Sequence, residues 1–212
     1  MSVCIVGNSD NVIGSGLGEK VDSCDIVIRI NDFLTHSHEN DVGEKTSIIA
    51  CAFSGANKIA NDSSWPTRSL FKSVDVWMVR YPRNDRNQRA LSCGLKSEKL
   101  KYPEAHVYDE LVASVYSRFW RKEPSSGLVT IAMALSNFPG QEIYIHGFDS
   151  RTGKEGKRHY FDPNFFDVDL PNDPVGHDWE SESLYIEELV KNNKIKRWFK
   201  PFITTLSNYY EY

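Results

Sequence analysis

Two short β-branched runs, each ending in small polar residues, constrain this chain more than any other feature. Val3 to Val6 is an unbroken apolar run that ends in Gly7-Asn8-Ser9, and Asp25 to Ile30 is a second, β-branched run that ends at Asn31. Apolar runs of this length bounded by turn residues read as strands buried in a sheet. Strand, crossover and strand within about 30 residues make a βαβ unit, whose crossover is expected to be right-handed. Gly14 to Lys20 reads as a short helix in that connection. Ser47 to Ala52 and Val74 to Val79 read as further strands, and Ala56 to Asn61 as helical. Leu128 to Phe138 has apolar residues at helical spacing, Ser125 and Ser126 as N-caps, and Pro139-Gly140 as its stop. Glu142 to His146 is a strand that runs into Gly147-Phe148, and Trp179 to Lys191 reads as a helix. Residues 80–105 and 150–176 are polar or rich in Gly, Asp, Pro and aromatics, and are expected to be mobile loops, the second suited to covering a site. The expectation is one α/β domain over residues 1–212, Rossmann-like, with a mainly parallel sheet flanked by helices.

Composition excludes more than it proposes. At 212 residues, 40% hydrophobic and 25% charged, the chain suits one soluble domain. A net charge of -4 offers no broad attraction to nucleic acid. No apolar run reaches the roughly 18 residues that span a bilayer. Ser2 to Val6 already reads as a strand, so Met1 is expected to lie close to the start of the fold, with no signal peptide. The four cysteines (Cys4, Cys24, Cys51, Cys93) show no CxxC spacing and no grouping with His, so zinc is not expected and a reducing, cytoplasmic setting is.

In a doubly wound sheet, ligands sit beyond the carboxyl ends of the strands, where Asn8, Ser9 and Asn31 fall. The same residues also suit ordinary turns. Gly14, Gly16 and Gly18 are spaced GxGxG and come late after the strand, which does not fit a dinucleotide fingerprint. Pro124-Ser125-Ser126-Gly127 opens a helix whose N-terminal amides could bind an anion, or simply be capped by serine. His159-Tyr160-Phe161 and His177 with Glu182 five residues later each bring a histidine able to exchange protons near neutrality. Either could instead be a packed loop or helix-end residue.

Together, Val6-Gly-Asn-Ser9, Asp25-Ile-Val-Ile-Arg-Ile-Asn31 and Asp41-Val-Gly-Glu-Lys-Thr46 resemble the long sialyl motif of the animal-type sialyltransferase family. Ser125-Ser-Gly127 with Ile143-Tyr-Ile-His-Gly-Phe148 resembles the short motif, His159-Tyr160-Phe161 the His-Tyr-Tyr motif, and His177 with Glu182 the last one. The resemblance implies a GT-A-like fold and an inverting, metal-independent transfer of sialic acid from a cytidine monophosphate (CMP) donor to a glycan hydroxyl, with no cofactor. By the same resemblance Asn8, Ser9, Asn31, Ser125, Ser126 and Gly127 hold the nucleotide, and Gly147 and Phe148 lie beside the cytosine. His159 donates to the departing phosphate and His177 is the general base, with Tyr160 and Glu182 in support. Asp41, Gly43, Lys45 and Thr46 are expected to shape their loop.

Transfer of Kdo or another CMP-activated 2-keto acid sugar is an alternative, as is an inactive nucleotide- or glycan-binding relative. Asp167-Val-Asp169 is literally a DxD, read as solvated loop carboxylates because no β-branched strand leads into it. Residues 194–200 mix cations with Trp198 and Phe199. They suit either peripheral contact with an anionic inner-membrane surface, where a lipid-linked acceptor would be presented, or a solvated helix end with both aromatics packed inward. The chain departs from the animal pattern in three ways. Leu135-Ser-Asn-Phe138 offers Cys4 no disulfide partner, Glu123 stands where the family has Tyr, and the membrane anchor and stem are not expected. A compact bacterial or viral relative fits these departures. The motifs carry no information on oligomeric state.

Overall fold

The computed structural model describes residues 1–53, 69–71, 73–79, 100–101, 115, 118, 124–148, 157–167 and 177–198. Cys93, Glu123, Asp169, Phe199, Lys200 and the helix expected at Ala56–Asn61 lie outside the described residues. Among the described residues seven strands form one sheet: β1 (Ser2–Val6), β2 (Ile26–Ile30), β3 (Ile48–Cys51), β4 (Asp75–Met78), β5 (Leu100–Lys101), β6 (Glu142–His146) and β9 (Lys196–Arg197), in the order β5-β4-β3-β2-β1-β6-β9. Every neighbouring pair is parallel. Val6 is in register with Arg29 on one side and His146 on the other. From β1 the chain builds outward in one direction to β5, then crosses back to place β6 on the opposite side of β1. The order therefore reverses between β1 and β6, at the carboxyl ends of two central strands.

Period-two alternation sends each strand's residues to two different cores. Val3, Ile5, Ile28, Ile30, Ile48 and Ala50 face one side, where they pack with Leu128, Val129 and Ile131 of α3 (Ser126–Asn137) and with Ile186 and Leu189 of α4 (Trp179–Lys191). Cys4, Val6 and Val27 face the other side, with Val21 of α1 (Gly18–Asp22) and Val42 of α2 (Glu39–Val42). On that second face Ile49, Cys51, Val76 and Met78 pack with Phe33, Phe53 and Phe71. Cys4 thus lies on the sheet face away from α3. Even a cysteine among residues 135–138 would sit across the sheet from it.

Several expectations are corrected. The connecting helix begins at Gly18, not Gly14, because Gly14 and Gly16 take left-handed φ values of 75° and 63°, which a helix cannot include. The expected loop at 80–105 contains β5, a two-residue edge strand too short to show alternation. The expected loop at 150–176 contains an antiparallel ribbon of β7 (Lys157–His159) and β8 (Asp162–Asp167), with a bulge between Arg158 and His159. Aromatics such as Phe165 and Phe166 favour pleated backbone, and Pro163 is admissible because a two-strand ribbon has only edges. Asp167 is therefore the last residue of a strand and not part of a loop. Nor is 194–198 a helix end: α4 stops at Lys191, Asn193 turns the chain at φ 54°, and β9 pairs with β6. Trp198 packs on Tyr144 of β6 with ring centroids 5.0 Å apart.

Candidate active site

The site is built at the reversal between β1 and β6, and two glycines make the junction. The β1 and β6 strands end in Gly7 and Gly147, whose backbones meet so closely that a Cβ on Gly7 would lie 2.4 Å from the Gly147 carbonyl oxygen. A Cβ on Gly147, which sits at φ 74°, would lie 2.6 Å from the Gly7 oxygen. The Gly7 amide donates to the His146 carbonyl at 2.7 Å and the Ser9 amide to the Gly147 carbonyl at 3.2 Å. Nothing larger than hydrogen fits at this corner, which explains glycine at both positions.

From the corner the polar residues divide into two groups. Ser9 is 4% exposed, and its Oγ accepts the Asn11 amide at 3.3 Å, capping the 3-10 turn at Asp10–Val12. Asn8 spans to the next strand end, its Nδ2 donating to the carbonyls of Ile30 and Asp32 at 3.0 Å each. Its Oδ1 is buried and has no partner among the described residues. Asn31 takes φ 52°, which Asn tolerates better than most residues, and its Oδ1 accepts the Ala52 amide at 2.9 Å. Arg29 is fully buried and holds the 42–46 loop from inside. Its Nη2 donates to the carbonyls of Val42, Gly43 and Lys45, and its Nε to Lys45 and Thr46.

The helix α3 points its N-terminus at the same rim. Ser125 caps it, its Oγ accepting the Leu128 amide at 3.2 Å. Ser126 and Gly127 occupy the first two helical positions, whose N–H groups have no intrahelical acceptor. A Cβ on Gly127 would lie 2.9 Å from Cε1 of Phe148, so the helix start and the β6 corner touch. The Phe148 carbonyl is held by Arg197 at 2.7 Å, and Arg197 pairs with Glu187 at 2.8 Å.

The β7–β8 ribbon closes over the first strand end. His159 forms an antiparallel bridge with Ser9, and the Tyr160 amide donates to the Asn8 carbonyl at 3.1 Å. Tyr160 is buried, donates its O–H to the Leu34 carbonyl at 2.8 Å and accepts the Leu34 amide at 3.3 Å. Burial pushes its phenol up to about 12, so it stays a donor throughout the working range. On the far side, Glu182 of α4 is 3% exposed and its Oε1 accepts the Ser125 amide at 2.7 Å. Asp178 caps α4 through the Ser181 amide, and His177 precedes that cap, its ring edge-on to Trp179 at 4.8 Å.

Contacts therefore link all four sequence segments around one rim: Ser9 touches Gly147 and His159, Gly127 touches Phe148, and Glu182 holds Ser125, while His177 is placed by its ring contact with Trp179 at the start of α4. The late glycines face elsewhere. Gly14 and Gly16 donate their amides to the Asp41 carboxylate at 2.9 Å each, so those amides are already satisfied internally. Burial works against ionising Asp41, but these two amides, together with the charge interactions of His146 and His38, hold the carboxyl below the usual range. Among the described residues no three His, Cys, Asp or Glu side chains gather as a metal site, and no helix is long and apolar enough to cross a membrane.

A family model described as "Glycosyltransferase family 29 (sialyltransferase)" matches residues 2–194. The chain belongs to that family. Over 197 residues it is 26% identical to the Mus musculus "CMP-N-acetylneuraminate-beta-galactosamide-alpha-2,3-sialyltransferase 2", covering 91% of this chain and 55% of that protein. Over 212 residues it is 24% identical to the Homo sapiens "Type 2 lactosamine alpha-2,3-sialyltransferase", covering 90% of this chain and 62% of that one. The chain thus spans little more than half the length of these curated relatives. A solved mammalian sialyltransferase in complex with Gal-beta-1-3GalNAc-ortho-nitrophenol matches with a TM-score of 0.64 at 23% identity, over 94% of this chain and 69% of that one. That likeness establishes the GT-A-like sialyltransferase fold.

Within this candidate site the sequence reading missed three contributors. His146 and Arg197 brace the Gly147–Phe148 corner, and the backbone of Leu34 anchors Tyr160. Arg197 had a signal, since Asn192-Asn193 marks a helix stop before it. Leu34 had none, because it acts only through its backbone.

Proposed function

We propose that this chain is an inverting sialyltransferase that moves sialic acid from a CMP-activated donor to a glycan hydroxyl without a bound metal. The observation that carries the reading is the convergence of all four family segments on the β1/β6 reversal, with a buried, unpartnered Asn8 Oδ1 among them. A buried acceptor lacking a donor costs about 1–3 kcal/mol, which a cytosine amino or ribose hydroxyl group would offset. The amides of Ser126 and Gly127 suit the single phosphate, and Phe148, packed on Gly127, suits the flat face of a base. Asn31, Ser9 and Ser125 act by holding the rim in shape, alongside any direct contact they make.

The donor named in the mouse relative is CMP-N-acetylneuraminate, which favours sialic acid over Kdo, and β-galactosides are the acceptors to test first. In the reaction His177 takes the acceptor hydroxyl proton, the oxygen attacks the anomeric carbon in line, and the bond to the CMP phosphate breaks with its electron pair. His159, across from Ser9, donates to the phosphate oxygen that gains charge, which favours the transition state over the ground state. One phosphate requires less charge neutralisation than a nucleotide diphosphate, so these donors suffice.

The test is calorimetric titration with CMP in EDTA, with UMP as control, followed by transfer assays on β-galactosides. Selective CMP binding is expected to survive EDTA. His177→Ala should abolish transfer and leave CMP affinity intact, whereas His159→Ala should lower turnover more than affinity. Absence of CMP binding, or loss of it in His177→Ala, would overturn the donor site or the base assignment respectively.

A further inference from the structure

His146 is the last residue of β6, 3% exposed, directly before the corner glycine. Its Nε2 lies 2.9 Å from the carbonyl oxygen of Asp41. A carbonyl can only accept, so the ring carries its proton on Nε2, and in the neutral ring Nδ1 is bare. That Nδ1 is buried with no partner among the described residues. The same Asp41 carbonyl accepts the Ser15 hydroxyl at 3.3 Å, while its carboxylate holds the amides of Gly14 and Gly16. On the main chain, the His146 carbonyl accepts the Gly7 amide. One residue thus ties the β1/β6 corner by its backbone, and α2 with the 14–16 loop by its ring. Val12, between them, lies against Gly147: its Cγ1 would be 2.9 Å from a Cβ placed there.

We propose that His146 is a positioning residue of the donor site, fixing the Gly147–Phe148 corner against α2 and the 14–16 loop, and that it does so only as the neutral imidazole. The nature of the ligand rests on the reading above. Protonation would add a second donor at Nδ1 with no acceptor in reach among the described residues, in a buried site whose ring centroid lies 6.4 Å from that of Trp198. The charged groups facing the ring are Asp41 from α2, which favours the imidazolium, and Arg29 from β2, which opposes it. Burial is the larger influence and keeps His146 below the ordinary histidine value. Acid must then open the corner to charge the ring. If only the neutral form binds, apparent affinity falls by about tenfold for each pH unit below its pKa.

The experiment is CMP affinity by calorimetry from about pH 7.5 to about pH 5, the range in which histidine titrates, on the wild type and His146→Gln. Glutamine can place an amide N–H near the Nε2 position and does not titrate. The variant is expected to bind CMP more weakly than the wild type at neutral pH and to lose less affinity as the pH falls. The phosphate of CMP titrates near pH ~6, but it is common to the two proteins and cancels in the comparison. Thermal stability over the same range separates a purely structural role. A histidine whose folded pKa is depressed costs stability as pH falls below its unfolded value of about 6.5, and His146→Gln removes that cost. Coincident CMP profiles overturn the proposal even if the stability profiles differ. Should His146→Gln fail to fold, the ring of the wild type is titrated by NMR with and without CMP. Linkage requires CMP to lower the pKa of His146 further, and an unchanged value overturns the inference. No CMP binding by either protein at any pH overturns the donor reading and this inference with it.

Discussion

Glu182 offers the most direct test of how the site is assembled, because a hydrogen bond joins the helix that follows His177 to the helix proposed to face the phosphate. Its Oε1 accepts the buried Ser125 amide at 2.7 Å, from a side chain 3% exposed. A hydrogen bond to a charged group contributes about 1.5–3 kcal/mol. Glu182→Gln keeps an acceptor of the same shape but removes the charge, and since charge-assisted bonds are roughly twice as strong, about 1 kcal/mol should be lost. Glu182→Ala removes the acceptor and leaves the Ser125 amide buried and unpaired, so the loss rises to about 3 kcal/mol. For a chain of this size 1 kcal/mol moves the melting temperature by roughly 2–4 °C, giving about 3 °C for Gln and about 9 °C for Ala. Differential scanning calorimetry measures both, with Glu180→Gln as control, since Glu180 is exposed on the same helix turn. CMP titration on the same proteins should show affinity falling in the order wild type, Gln, Ala, because Ser125 sets the orientation of the Ser126 and Gly127 amides. Equal and small shifts for Gln and Ala would refute the reasoning. So would an Ala variant that melts lower yet binds CMP as the wild type does, since α4 would then not hold the anion end of α3.

The corner and the ribbon carry the other tests. Gly7→Ala places a methyl 2.4 Å from a backbone oxygen that no rotamer can move, so about 3 kcal/mol or more should be lost in urea unfolding. Gly14→Ala meets no atom within 4 Å and bears only the left-handed backbone penalty, about 1–2 kcal/mol, and a Gly7→Ala protein no less stable than Gly14→Ala would refute the close-packed corner. Tyr160→Phe removes the hydroxyl that serves both the amide and the carbonyl of Leu34, for about 1–2 kcal/mol. Because His159 is its neighbour on the ribbon, turnover should fall more than CMP affinity, and unchanged turnover would detach the ribbon from the chemistry.

The central sheet was legible because its inner strands are rich in β-branched residues and stop at turn residues, as in Val3–Val6 before Gly7 and Ile26–Ile30 before Asn31. The helix at Ser126–Asn137 was legible from its serine cap and its apolar spacing. The β5 and β9 strands were not, since two residues at a sheet edge take their conformation from the neighbouring strand and not from their own sequence. The β7–β8 ribbon was hidden by its Gly, Asp and Pro content, which marks loops on average. What holds it is tertiary: His159 bridging Ser9, and Tyr160 clamped on Leu34.

Motif matching treats Asn8, Ser9 and Asn31 alike, and the structure separates them by asking which of their polar atoms are already used. The Oγ and N–H of Ser9 both serve the fold, one capping the 3-10 turn and one closing on Gly147. Asn31 gives its Oδ1 to Ala52. Asn8 gives only its Nδ2, to two carbonyls of the neighbouring strand end, and those two bonds fix the side chain so that Oδ1 is buried with no donor among the described residues. A fixed, desolvated acceptor binds a ligand donor more strongly than a mobile, hydrated one, because its ordering and desolvation costs are met on folding. The same division explains why the rim needs so many residues that serve the fold itself. Gly7, Gly147, Ser9 and Arg29 hold the backbone in one arrangement, so that in the proposed donor site Asn8, the first amides of α3 and Phe148 would stand ready before the nucleotide arrives.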